Sequence, residues 1–176
     1  MWKKIASKIL LDHPRLKALE DEVELPSGQK TQYLKFDSGG NAVTIIAINK
    51  EGKILLQKEY SYPPNEELYQ FPGGLVPEGE NLLIGANREL MEEAGLKANS
   101  LVELGAYYTN NRRSHQRMHV YLGRDLVEEK LKGDVEEDIK SYWFSEEEIG
   151  SLIKNGELKH YSVLSAWSLY KLKYKV

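Results

Sequence analysis

Gly73-Gly74-Leu75-Val76-Pro77-Glu78-Gly79-Glu80-Asn81-Leu82-Leu83-Ile84-Gly85-Ala86-Asn87-Arg88-Glu89-Leu90-Met91-Glu92-Glu93-Ala94-Gly95-Leu96 is the stretch on which the reading of this chain turns. Leu83, Ala86, Leu90 and Ala94 recur at i, i+3, i+7 and i+11, which predicts an amphipathic helix over residues 82–94. Gly95 stands where a left-handed cap would end it. Each helical residue advances about 100° around the axis, so Glu92, Glu89 and Glu93 share an arc of about 100° beside the apolar stripe. Their Cβ atoms are then about 5–6 Å apart. Three carboxylates this close repel one another unless a cation sits among them, and hard divalent cations prefer such oxygen donors. Arg88 lies at i, i+4 from Glu92 and can steady that carboxylate. On an isolated helix the same acids would be a solvated face.

The spacing extends beyond the helix. Gly74, five residues, Glu80, seven residues, Arg88-Glu89-Leu90, one residue, Glu92-Glu93, one residue, Gly95-Leu96 resembles the Nudix box at each of its nine specified positions. That resemblance implies a mixed sheet between helices, an α/β/α sandwich, with the box as loop, helix and loop. It implies water attacking phosphorus in a nucleoside diphosphate linked to another moiety. It makes Glu89, Glu92 and Glu93 metal ligands, the Gly73 carbonyl a further ligand, Glu80 a supporting acid and Arg88 the residue that orients the glutamates. The implied cofactor is Mg²⁺, with Mn²⁺ as a substitute.

Working outward, Ala42–Ile48 is an apolar, β-branched run, as expected of a strand buried on both faces. Residues 53–57, 68–71, 101–108, 118–122 and 141–144 read as further strands. Ser145 before Glu146-Glu147-Glu148 is a helix start with a capping box, and residues 161–173 form a C-terminal helix around Val163, Leu164, Trp167 and Tyr170. Residues 5–37 read as short strands broken at Pro26-Ser27-Gly28. The fold class is therefore α/β, an α+β mixed sheet. An N-terminal strand region (1–38), implied by the resemblance to dimerise, precedes the catalytic domain (39–176).

The box does not name the substrate, so the flanks must. Gln57-Lys58-Glu59-Tyr60, Tyr69-Gln70-Phe71-Pro72, Arg117–Leu126 and Glu136-Glu137-Asp138-Ile139, with the N-terminal strands, resemble the ADP-ribose and nucleoside diphosphate sugar branch. In that branch a late acidic loop supplies the base, which points to Glu136 or Glu137, with Glu80 as competitor. Thr109-Asn110-Asn111 lacks the proline typical of ADP-ribose pyrophosphatases, which leaves other nucleotide sugars open. Arg112, Arg113 and Arg117 form, with His115, a basic cluster that would hold phosphates or would simply be an exposed loop. Tyr60 and Gln70 are candidate substrate contacts; Tyr60, Tyr62 and Tyr69 serve equally as strand packing. His119 reads as structural, and His13 and His160 as surface residues.

Bulk properties narrow the field. The chain has 176 residues, 41% of them hydrophobic, which is enough for one core of its own. Its net charge of −3 argues against a broad nucleic-acid surface, although not against a small nucleotide in a pocket. There is no cysteine, which excludes thiolate metal sites and fits a reducing compartment. No apolar run reaches the length of a membrane span or a secretory core, so the expectation is a cytoplasmic protein; the resemblance implies a homodimer acting on a small nucleotide. The alternatives are a dinucleoside polyphosphate or other nucleotide pyrophosphohydrolase, and a sensor domain without turnover.

Overall fold

A computed structural model describes residues 1–14, 16–133 and 139–174. One four-stranded and one three-stranded sheet form the centre. Strand β4 (Gly40–Ala47) pairs in parallel with β9 (Arg117–Glu128), which pairs antiparallel with β8 (Leu96–Tyr108); β7 (Leu75–Pro77) covers the other edge of β4. Strand β5 (Ile54–Ser61) lies between β10 (Lys140–Phe144) and β6 (Glu66–Gln70). A bridge between Ile48 and Ile54 joins the two sheets.

Alternation along β4 and β5 builds two cores. Ile46, Ile54 and Leu56 face the helices α2 (Glu146–Lys154) and α3 (Tyr161–Tyr174), where they meet Ile149, Val163, Ala166 and Trp167. Val43, Ile45, Ala47 and Leu55 face the opposite way and meet Ala86 and Leu90 of α1 (Leu82–Ala94). Residues 42–47 are thus buried, as their nearly unbroken β-branched run leads one to expect, Thr44 being the one polar side chain among them. Helices on both sides of the sheets make the α/β/α sandwich.

Helix α1 covers the expected residues, and Gly95 ends it in the left-handed region at φ 66°. Asn81 caps its start, its Oδ1 accepting from Leu83 N at 2.9 Å and Ile84 N at 3.3 Å. Its buried face differs from the apolar stripe. Gly85 lies against Val76, where an added Cβ would be 2.5 Å from a methyl carbon. This close approach turns Gly85, Ala86, Glu89 and Leu90 inward and leaves Leu83 exposed. Glu89 is therefore on the inner face, not beside it. Helix α2 has the expected capping box of Ser145 and Glu148.

The N-terminal region is an antiparallel sheet of three strands, β1 (Lys3–His13), β2 (Leu16–Glu24) and β3 (Lys30–Asp37), longer and more regular than the sequence suggested. Asp21, only 5% exposed, ties them together: it accepts from Ser7 Oγ at 2.5 Å and pairs with Lys35 at 2.7 Å. His160 is not a surface residue. It is half-buried, its Nδ1 lies 2.7 Å from Ser162 Oγ, and burial pushes its imidazole below the ordinary value.

Candidate active site

The β6–β7 link lies against the inner face of α1. Pro72 and Gly74 carbonyls accept from the amides of Ile45 and Val43 at 2.8 and 2.9 Å. In such alternating backbone the Gly73 peptide groups point away from β4. The Gly73 amide does so, donating to Glu93 Oε2 at 3.1 Å. Gly73 has φ 152°, and a Cβ there would fall 2.1 Å from the Val43 carbonyl oxygen, so the position needs glycine. At Gly74 an added Cβ would meet the Glu89 carboxylate at 2.5 Å. The two glycines therefore let Glu89 and Glu93 lie directly on the backbone.

Arg88 organises the other carboxylates. Its Nη1 is 2.7 Å from Glu89 Oε1 and 2.9 Å from Glu92 Oε2, its Nε is 3.3 Å from Glu80 Oε1, and Nη2 donates to the Leu75 carbonyl at 3.3 Å. Desolvation alone would lower the guanidinium pKa. The hydrogen bonds that Arg88 donates to Glu80 and Glu92, and the charges of Glu89 and Glu80, outweigh it and raise the pKa above its ordinary value. Glu80, Arg88, Glu89, Glu92, Glu93 and Gly73 thus form one connected constellation.

The flanking residues fall into two groups. Gln70, at the end of β6, precedes the glycines by three residues and donates to Glu59 on the α1-facing side of β5. Tyr60 is half exposed, its hydroxyl donating to Asn65 at 2.8 Å. The basic loop between β8 and β9 is clamped to the N-terminal sheet: Tyr33 Oη donates to the Arg112 carbonyl at 2.5 Å, and Arg113 Nη1 donates to the Leu34 carbonyl at 3.0 Å. Arg113 also lies over the Tyr33 ring, and Arg117 over Tyr108. His115 shares a cleft of about 370 Å³ with Asn41, Glu78 and Glu80, so the loop reaches the start of α1. Glu136 and Glu137 lie outside the described residues. Gly133, just before them, packs beside the Glu92 carbonyl. Tyr33 and Asn41, which accepts from the Arg117 amide at 3.0 Å, escaped the sequence reading because nothing local marks a contact between residues so distant in the chain.

Residues 40–167 match the family model described as NUDIX domain. The chain belongs to the Nudix family. An ADP-ribose pyrophosphatase of Bacillus subtilis is 29% identical over 98% of this chain and 93% of its own length. A methanol dehydrogenase activator of Bacillus methanolicus is 30% identical over 67% of this chain and 63% of its own. Among solved structures, one titled as an ADP compounds hydrolase superposes with a TM-score of 0.88 at 23% identity, covering 99% of this chain and 97% of that one. This likeness shows that the sandwich is the Nudix fold.

Nudix hydrolases generally use divalent metal ions, and the donors here suit one: Glu89, Glu92 and Glu93 offer only hard oxygens, on a backbone cradle that no Cβ fills. In the arrangement described, Arg88 draws Glu89 and Glu92 while the Gly73 amide draws Glu93. Among the described residues no three acids or histidines converge closely enough to hold an ion.

Proposed function

We propose that this Nudix enzyme hydrolyses the diphosphate linkage of a nucleoside diphosphate sugar, ADP-ribose, GDP-mannose or similar, to a nucleoside monophosphate and a sugar phosphate. The carrying observation is the single constellation in which Arg88 joins Glu80, Glu89 and Glu92 while Gly73 holds Glu93. The substrate class rests on the names of similar proteins, the ADP-ribose pyrophosphatase and the ADP compounds hydrolase.

In this reading Glu89, Glu92, Glu93 and the Gly73 carbonyl hold Mg²⁺, or Mn²⁺ in its place. The bound cation would offset charge on the phosphate oxygens and acidify a water. Arg88 sets the glutamate rotamers. Glu80, Glu136 or Glu137 accepts the proton of the attacking water. Arg112, exposed at the tip of the basic loop, reaches a phosphate, while Arg113 and Arg117 shape the loop; Gln70 on the α1-facing side and Tyr60 at the exposed end of β5 would contact different parts of the nucleotide or sugar. With Mg²⁺ or Mn²⁺ present, ADP-ribose, GDP-mannose or UDP-glucose should release a nucleoside monophosphate faster than dinucleoside polyphosphates do. Turnover confined to dinucleoside polyphosphates, or no turnover of any of them, would reject the substrate class.

The N-terminal sheet supports a homodimer. Trp2, Ile5, Ile9, Leu10, Leu11 and Leu16 are all more than 40% exposed, an apolar surface that a second copy would cover. Sedimentation should give twice 20.2 kDa; a lone 20.2 kDa species at micromolar concentration would refute the dimer. No described helix is long and apolar enough to cross a membrane, and a cysteine-free chain suits the cytoplasm, which we propose as its compartment.

A further inference from the structure

Gln57 is fully buried, and among the described residues neither its Nε2 nor its Oε1 has a hydrogen-bond partner. A buried unpartnered amide is destabilising, and native proteins retain few of them. Its surroundings are telling. In β5, Ile54 and Leu56 face α2 and α3, whereas Leu55 packs with Ala86 and Leu90 of α1. Alternation therefore turns Gln57 to the α1 side. There it stands opposite Ser141 and Gln70, and Gln70 in turn meets Glu59, so a polar row crosses this face of the sheet.

That row leads to the carboxylates. Three residues beyond Gln70, the Gly73 amide binds Glu93. On the helix, Glu93 is one turn past Leu90, which belongs to the same core cluster as Leu55. Gln57 on the strand and Glu93 on the helix thus belong to the same side of the sheet. Glu93 has a donor from the backbone on one oxygen. Ligation of a cation would redirect that carboxylate, and a fixed side-chain amide on the same side of the sheet would hold it in the new position.

We propose that Gln57 is a positioning residue for Glu93: its buried amide donates to the Glu93 carboxylate in the metal-bound form and has no partner without it. This rests on the reading of Glu93 as a metal ligand. The amide is kept at a cost to the metal-free fold because it fixes the orientation of a ligand, as partners behind metal ligands commonly do.

The test is Gln57→Met, which keeps the length and removes the hydrogen-bonding atoms. Two quantities are read on the full chain: the melting temperature without metal, and the affinity for Mn²⁺ alone followed by electron paramagnetic resonance. The proposal expects the melting temperature to stay or to rise by about 2–4 °C, with Mn²⁺ binding about 10–100-fold weaker. In turnover, kcat should fall at saturating substrate with KM little changed once Mn²⁺ is saturating. Unchanged Mn²⁺ affinity, or weaker binding accompanied by a clear loss of melting temperature, would overturn it. Glu93→Gln serves as the control. If that variant binds Mn²⁺ normally, the ligand reading itself fails; if it does not while Gln57→Met does, only the role of Gln57 fails.

Discussion

Glu93→Gln should abolish most turnover, by about 10²–10³-fold, the usual loss when one preorganised charge-stabilising group is removed from a site. The same variant should fold normally and be at least as stable without metal. Glu93 stands on α1 with Glu89 and Glu92, and converting one of three neighbouring carboxylates to an amide relieves repulsion. The Gly73 amide would still find an acceptor, since the glutamine carbonyl can take the place of Oε2. Activity and stability would thus move in opposite or independent directions. The measurement is the rate under saturating Mg²⁺ beside a melting curve in a chelator. Retention of a near-normal rate would remove Glu93 from the metal site. Equal loss of both quantities would mean that Glu93 matters to the fold instead.

This expectation could be formed from the sequence because the box is local. Spacing along one helix specifies which side chains share a face, and a glycine at its end specifies where it stops, so the extent of α1 and its Gly95 cap were legible. The buried strand β4 was legible for a similar reason: residues covered on both faces are mostly apolar and β-branched, with Thr44 the one polar side chain in the run. Strand β1 was not. All eleven of its residues are exposed, so no alternation marks it, and its register against β2 is set by contacts such as Ser7 with Asp21. The burial of Glu89 also stayed hidden. It follows from Gly85 meeting Val76, a contact between elements that periodicity within one helix does not encode. The clamp of Tyr33 on the Arg112–Arg113 loop spans 79 residues and has no local signature.

The second large effect concerns the fold. Arg88→Met should lower stability by about 2 kcal/mol. Removing one partner of a fully buried ion pair costs about 3–5 kcal/mol, and the value is reduced here because the Arg88 side chain is 30% exposed and solvent screens part of the charge. Glu89, only 9% exposed, would lose the guanidinium that lies 2.7 Å from its Oε1, and Glu80 and Glu92 would lose their contacts with it as well. At this chain length the melting temperature should fall by roughly 4–8 °C. Mg²⁺ should restore part of that loss, since a cation bound among the glutamates replaces the guanidinium charge and stabilises the folded state in proportion to its occupancy. A variant as stable as the parent in chelator would show that Arg88 neutralises nothing of consequence. A loss that Mg²⁺ leaves untouched would separate the carboxylates that Arg88 holds from any that bind metal. Partial rescue would mean that Arg88 and the cation compete for Glu89 and Glu92, with the arginine preserving the helix until the metal takes them over.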